Sequence, residues 1–140
     1  MIVNKNEFFR KITKQLGTMP QRNARKACFQ SANLVKNTAI ESIVGGSKSG
    51  RAYRRGSVTR VASAPGQAPA NQTGALAASI SARTETQGTI VFGIASASTE
   101  YAAMLEFGTQ KIAARPYMQP ALDRNAAKIK AIFLKQGLIS

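Results

Sequence analysis

Residues 101–122 read YAAMLEFGTQKIAARPYMQPAL, from Tyr101 to Leu122, and the rest of the chain is organised around them. Tyr101, Met104 and Leu105 fall at i, i+3 and i+4, the spacing of a short amphipathic helix laid on something larger. Gly108 follows Phe107 directly. A glycine there suits the left-handed residue that commonly closes a helix. Arg115-Pro116-Tyr117-Met118-Gln119-Pro120 then opens a second helix, with Pro116 predicted at the first helical position and Pro120 one turn later. The N–H groups lost to proline have no intrahelical acceptor at those places. Beyond Pro116, the residues Met118, Leu122, Ile129, Ile132 and Phe133 make a helical stripe, while Arg124, Lys128, Lys130 and Lys135 face largely away. Gly137 is the expected stop.

Upstream lies the β signal. From Ser79 to Glu85, and again after Gly88, apolar and polar residues alternate. A three-residue loop, Thr86-Gln87-Gly88, would pair Thr84 with Ile90, Ala82 with Phe92 and Ile80 with Ile94. That register puts the large apolar side chains on one face, and a one-residue slip would undo it. A two-residue loop at Gln87-Gly88 is the competing register. A lone hairpin is marginal in water, so a third strand is expected, from Lys111 to Ala114 or from a neighbouring subunit. Ala75 to Ile80 reads as a turn of helix or the start of a strand.

The N-terminal part reads as helical. Phe8, Phe9, Ile12 and Leu16 share a face between Asn4 and Leu16, and Gly17 and Pro20 interrupt the pattern. A longer helix is predicted from about Pro20 to Ile43. Its stripe of Ala24, Ala27, Cys28, Ser31, Leu34, Val35, Thr38, Ala39 and Ser42 is small in side chain and lets a partner come close. Phe29, Ala32 and Ile40 flank it, so the helix has either one broad core face or a second face for another subunit. After Gly45-Gly46-Ser47 the hydrophobic period vanishes through Gln72. Connections of that length are usually functional or disordered.

The fold class expected is therefore α+β in a single domain, 1–140. Its parts are N-terminal helices (1–44), a long basic arm-like loop (45–72), a small antiparallel sheet with a short helix (73–115; hairpin about 79–95), and a C-terminal helix (116–137) packed on the sheet.

The composition narrows the chemistry. A net charge of +14, with most of the basic residues before position 61, suits a polyanionic partner or a solvated, solubilising surface. There is no histidine and one cysteine, so neither an internal disulfide nor a nitrogen–sulfur metal site can form. Cys28 lies in an apolar stripe and reads as core rather than nucleophile. Glu100 and Glu106 fall on different helix faces, and Gly45-Gly46-Ser47-Lys48 lacks the spacing of a phosphate loop. No catalytic residue, cofactor or metal is expected. No apolar run at Met1–Arg10 is long enough for a signal peptide or a membrane span, which points to the cytoplasm.

Two stretches are candidates for contact. In the arm these are Arg51, Tyr53, Arg54, Arg55, Arg60, Pro65 and Pro69; Lys48, Arg51, Arg54 and Arg55 are the candidates to face DNA, with Tyr53 placed to stack. In the loop around Gly108 they are Glu106, Phe107, Gly108, Lys111 and Arg115. Glu106 is expected to be partly buried against Lys111 or Arg115, so that Glu106→Gln disturbs assembly more than folding.

Ser63-Ala-Pro-Gly-Gln-Ala-Pro69, Thr73-Gly-Ala-Leu-Ala-Ala-Ser-Ile80 and the Tyr101–Leu122 stretch, taken together and in that order, resemble the tail-completion or head–tail joining (neck) proteins of long-tailed bacteriophages. The resemblance spans about Gly50 to Leu122 and leaves the N-terminal part unplaced. It implies a structural virion protein, made in the host cytoplasm, that forms a homo-oligomeric ring, expected six-fold, around the DNA channel. Its partners would be copies of itself, neighbouring neck, tail-terminator or tail-tube proteins, and packaged DNA by non-specific contact, with no membrane. It also implies an arm that reaches an adjacent subunit or ring. The alternative is a small basic nucleic-acid-binding protein using Tyr53, Arg54 and Arg55.

Overall fold

The small-residue stripe decides the architecture. In the computed structural model, which describes residues 21–46, 48–71 and 74–139, helix α1 (Gln21–Gly45) buries Ala24, Ala27, Cys28, Ser31, Ala32, Val35, Ala39 and Ile43. Of the flanking residues, Ala32 is buried, Ile40 half-buried and Phe29 exposed. The helix foreseen at Asn4–Leu16 lies outside the described residues. After α1 come strands β1 (Ala52–Arg55) and β2 (Val58–Val61), short helix α2 (Ala75–Ser79), strands β3 (Ile80–Gln87) and β4 (Ile90–Ala97), short helix α3 (Ala102–Phe107) and helix α4 (Met118–Lys135). The class is α+β, as the sequence implies. Helix α1 is the middle of the molecule, packed on both β3 and β4 and on α4. Helix α4 and the sheet thus share one core, which contains Val91, Ala97, Tyr117, Met118, Ile129 and Phe133.

The register of β3 with β4 differs from the expected one. Gln87 pairs with Ile90, Thr84 with Gly93, Ala82 with Ala95 and Ile80 with Ala97, around a two-residue loop, Gly88-Thr89. Gly88 has φ 61°, the sign that the first position of such a loop requires. Side chains alternate along a strand, so Val91, Gly93, Ala95 and Ala97 share the face that carries Ile80, Ala82 and Thr84. This small-residue face, rather than Ile90, Phe92 and Ile94, meets α1. A Cβ at Gly93 would lie 2.3 Å from the Cys28 carbonyl oxygen, so the helix backbone rests almost directly on the strand. The Cys28 thiol donates to the Val91 carbonyl at 3.6 Å. At the hairpin tip, Arg25 donates to the Thr86 hydroxyl. On the opposite face Ile94 is buried, Phe92 half-buried and Ile90 exposed, so the close approach of small-residue faces, not the row of large side chains, sets the contact with α1. No third strand joins β3 and β4 at Lys111–Ala114; the helix supplies the support.

The segment read as structureless contains a second hairpin. Ala52 pairs with Val61, Tyr53 with Arg60, Arg54 with Thr59 and Arg55 with Val58. Its loop is Gly56-Ser57, with Gly56 at φ 63°, and two more bonds between Gly50, Arg51 and Ala62 prolong the ladder.

Helix α4 ends as foreseen. Leu138 N–H donates to Phe133 and Gly137 N–H to Leu134, with Gly137 at φ 70° and Leu138 and Phe133 both buried. That is a Schellman closure with its usual apolar contact. At the other end, Pro116 lies ahead of the helix, and Pro120 occupies the third helical position, where a missing N–H still costs nothing.

Candidate interaction surface

The stretch after β4 closes on itself around Glu106. Helix α3 buries Ala102 and Glu106, one turn apart, and leaves Tyr101 and Met104 exposed. Of the expected apolar face, Leu105 alone packs against the core, half-buried, while Tyr101 and Met104 are turned outward. Glu106 is 4% exposed. Its carboxylate accepts the N–H groups of Tyr117 (2.8 Å), Met118 (3.0 Å) and Gln119 (2.9 Å). These are the groups that the start of α4 leaves without an intrahelical acceptor, and negative charge is favoured at that end of the helix. The carboxylate thus caps a helix from a distant point in the chain instead of pairing with Lys111 or Arg115. Lys111 is exposed. The Arg115 guanidinium donates to the carbonyls of Ser63 and Ala113. Glu106 therefore ties α3 to the start of α4.

Tyr117 is seated by the same device. Its hydroxyl donates to the Ala102 carbonyl at 3.1 Å. Burial, with the Glu106 carboxylate and Tyr101 adding to it, pushes the phenol well above its ordinary value. Gly108 ends α3 at φ 73°, but ψ 176° carries the chain straight outward rather than round the left-handed turn expected. A Cβ there would strike Ala114 N at 2.8 Å. The loop beyond it is folded back on the body by Arg115 N–H to Leu105 O (2.6 Å) and Gly66 N–H to Ala114 O (2.9 Å).

The arm candidates separate into two groups. Lys48 is half-buried and engaged: its ammonium donates to the carbonyls of Ser42 (3.0 Å) and Ala68 (2.8 Å), tying the end of α1 to the connection, and burial lowers its pKa. It does not face outward for DNA. Gln67 likewise bridges Ser49 and Ala64, and Pro69 is buried while Pro65 is exposed. Arg51, Arg54, Arg55 and Arg60 are exposed on the β1–β2 ribbon or beside it, with Tyr53 half-buried. No other described element packs extensively against the ribbon.

Between the ribbon base and α3 lies an open groove of about 470 Å³, lined by Ser63, Pro69, Gly74, Leu76, Tyr101, Leu105 and Arg115 among others. Outside it, Met104 and Phe107 (59% exposed) on α3 and Ile112 in the following loop are also exposed. Sequence reasoning named Phe107 but missed the groove, because its walls come from three separate stretches.

Chemistry for catalysis is thin. Cys28 is fully buried, and burial pushes its thiol up to about 11, with a backbone hydrogen bond at Gly93 pulling slightly the other way; a neutral thiol under a helix is a poor nucleophile. Among the described residues, no group of three or more His, Cys, Asp or Glu could hold a metal ion, and no helix is long and apolar enough to cross a membrane. Comparison with protein-family models, curated proteins and solved structures gives no match for this chain.

Proposed function

We propose that the chain is a structural part of the neck of a long-tailed bacteriophage, a tail-completion or head–tail joining protein that assembles as a ring of identical copies around the DNA channel. One observation carries the reading. The three stretches that bear the resemblance each line one open groove: Ser63 and Pro69 from the first, Gly74 and Leu76 from the second, and Tyr101, Leu105 and Arg115 from the third. Met104 and Phe107 on α3, and Ile112 in the loop after it, are exposed apolar residues in addition. Surface of that kind is what a repeated head-to-tail interface covers in a ring.

The test is the mass of the purified protein in solution together with negative-stain images of the same sample. Rings are expected. Phe107→Glu should prevent them while leaving the thermal midpoint in place, because Phe107 lies outside the core. A parent protein that stays a single molecule at every concentration overturns the proposal. A second reading, a free-standing nucleic-acid-binding protein, is favoured by the exposed arginines of the β1–β2 ribbon. A single molecule that nevertheless binds duplexes tightly would select it.

A further inference from the structure

We propose that the β1–β2 ribbon is a duplex-DNA contact, gripping the phosphate backbone without reading sequence. The inference rests on the ribbon being an interaction element and not on ring formation. Charge is the first argument. Between Glu41 and Glu85 the sequence has no acidic residue, whereas Lys48, Arg51, Arg54, Arg55, Arg60 and Arg83 lie in that span. A second copy of the chain is a poor source of counter-charge. It carries 6 acids against 20 bases, Glu106 is spent on capping α4, and Glu85 is paired with Arg83 at 3.0 Å. The partner must bring its own negative charge.

Residue type and placement favour phosphate over acidic protein. All the basic residues of the ribbon are arginine, whose planar fork matches phosphate oxygens two at a time. Cross-strand pairing places Tyr53, Arg55, Val58 and Arg60 on one face and Ala52, Arg54, Thr59 and Val61 on the other. Guanidinium groups thus stand on both faces of the ribbon. A two-stranded ribbon is of the size that the DNA major groove admits, with phosphates on either side of it. The centre of a protein–protein interface also uses arginine, but sets it among several large aromatic or apolar anchors in a desolvated patch; here the apolar side chains are Ala52, Val58 and Val61, all exposed, with Tyr53 the one aromatic.

The experiment uses the full chain and a fluorescent duplex of arbitrary sequence, with anisotropy read across a salt series. Contact by Arg51, Arg54, Arg55 and Arg60 predicts a log–log salt slope of about −3 to −4 per chain, and similar affinity for an unrelated duplex. Arg54→Glu with Arg55→Glu should weaken binding about tenfold or more and flatten the slope by about 2, with the thermal midpoint and solution mass unchanged. The inference is overturned if no binding appears at low salt, or if the double variant binds like the parent. It is equally overturned if polyglutamate competes as well as unlabelled duplex, which would mark an acidic protein as the partner. Rings that ignore DNA would sink this inference alone. A single molecule whose DNA binding disappears in the double variant would sink the ring and leave this inference standing.

Discussion

Two hairpins in this chain share one design and have opposite fates. Each has a two-residue loop opening with a glycine at positive φ, Gly56-Ser57 in one and Gly88-Thr89 in the other. The β3–β4 hairpin has eight-residue strands and lays its small-residue face on α1. The β1–β2 ribbon has four-residue strands, arginines on both faces and no such backing. Turn chemistry makes a hairpin, and the side chains of its faces decide whether it becomes core or reaches outward. A two-stranded sheet gains little stability by itself, so the first is held by what it packs on and the second by how it is mounted.

The largest effect should come from breaking the support of the backed hairpin. Gly93→Val places carbon where the Cys28 carbonyl already sits. Neither backbone can yield without parting α1 from the sheet. We expect a loss of about 3 kcal/mol, at the upper end of ordinary overpacking, seen as a thermal midpoint lower by roughly 10 °C. A variant that melts like the parent would mean that α1 does not lie on the Gly93 face, and the contrast between the hairpins would collapse with it.

Next comes the mounting of the exposed ribbon. Its base, at Ser63 and Gly66, is bonded to Arg115 and Ala114, and that loop stays in place because Glu106 ties α3 to the start of α4. Glu106→Ala strips an acceptor from three N–H groups at once and should cost about 2 kcal/mol. Glu106→Gln, which keeps one carbonyl oxygen, should cost about half as much. Denaturant unfolding measures both. Should the glutamine variant unfold like the parent yet fail to assemble, Glu106 would belong to an interface after all.

What the sequence made legible follows from where the physics is local. The 3.6-residue period of α1 and α4, and the glycine that closes α4, need only neighbouring residues to be recognised. The β3–β4 register was missed because Ile90, Phe92 and Ile94 look like the core face; what decided it was Gly93 against Cys28, a close approach between distant stretches. The ribbon escaped notice because arginine and threonine obscure the alternation in Ala52–Arg55 and Val58–Val61, although Gly56-Ser57 between two Tyr-, Val- and Thr-bearing segments was a usable turn signal. Glu106 was singled out for the wrong partner. One clue was available: the first turn of α4 has neither an acidic residue nor a side-chain cap of its own, so its orphan N–H groups had to find an acceptor elsewhere. Of the contact candidates, Arg51, Arg54, Arg55, Arg60, Pro65, Phe107 and Lys111 are exposed, whereas Pro69 and Glu106 are buried and Lys48 is half-buried against the body.

The smallest effect is the sharpest test of the contrast, because it applies one chemical change to both hairpins. Gly56 and Gly88 have φ of 63° and 61°, and a Cβ at either would meet nothing within 4 Å. Alanine therefore brings the same backbone strain to both loops with no clash, on the order of 1 kcal/mol. In Gly88→Ala the strain falls on a hairpin locked to α1, so global unfolding must register it, with a midpoint lower by about 3 °C. In Gly56→Ala it falls on a ribbon that can open by itself while the core stays folded, so the global midpoint should stay put and amide exchange at Tyr53, Arg55 and Arg60, in the hydrogen-bonded pairs of the ladder, should quicken. Equal falls in the two midpoints would mean that the ribbon unfolds together with the core, and its exposure would then have to be read as one side of a rigid body rather than as an independent arm.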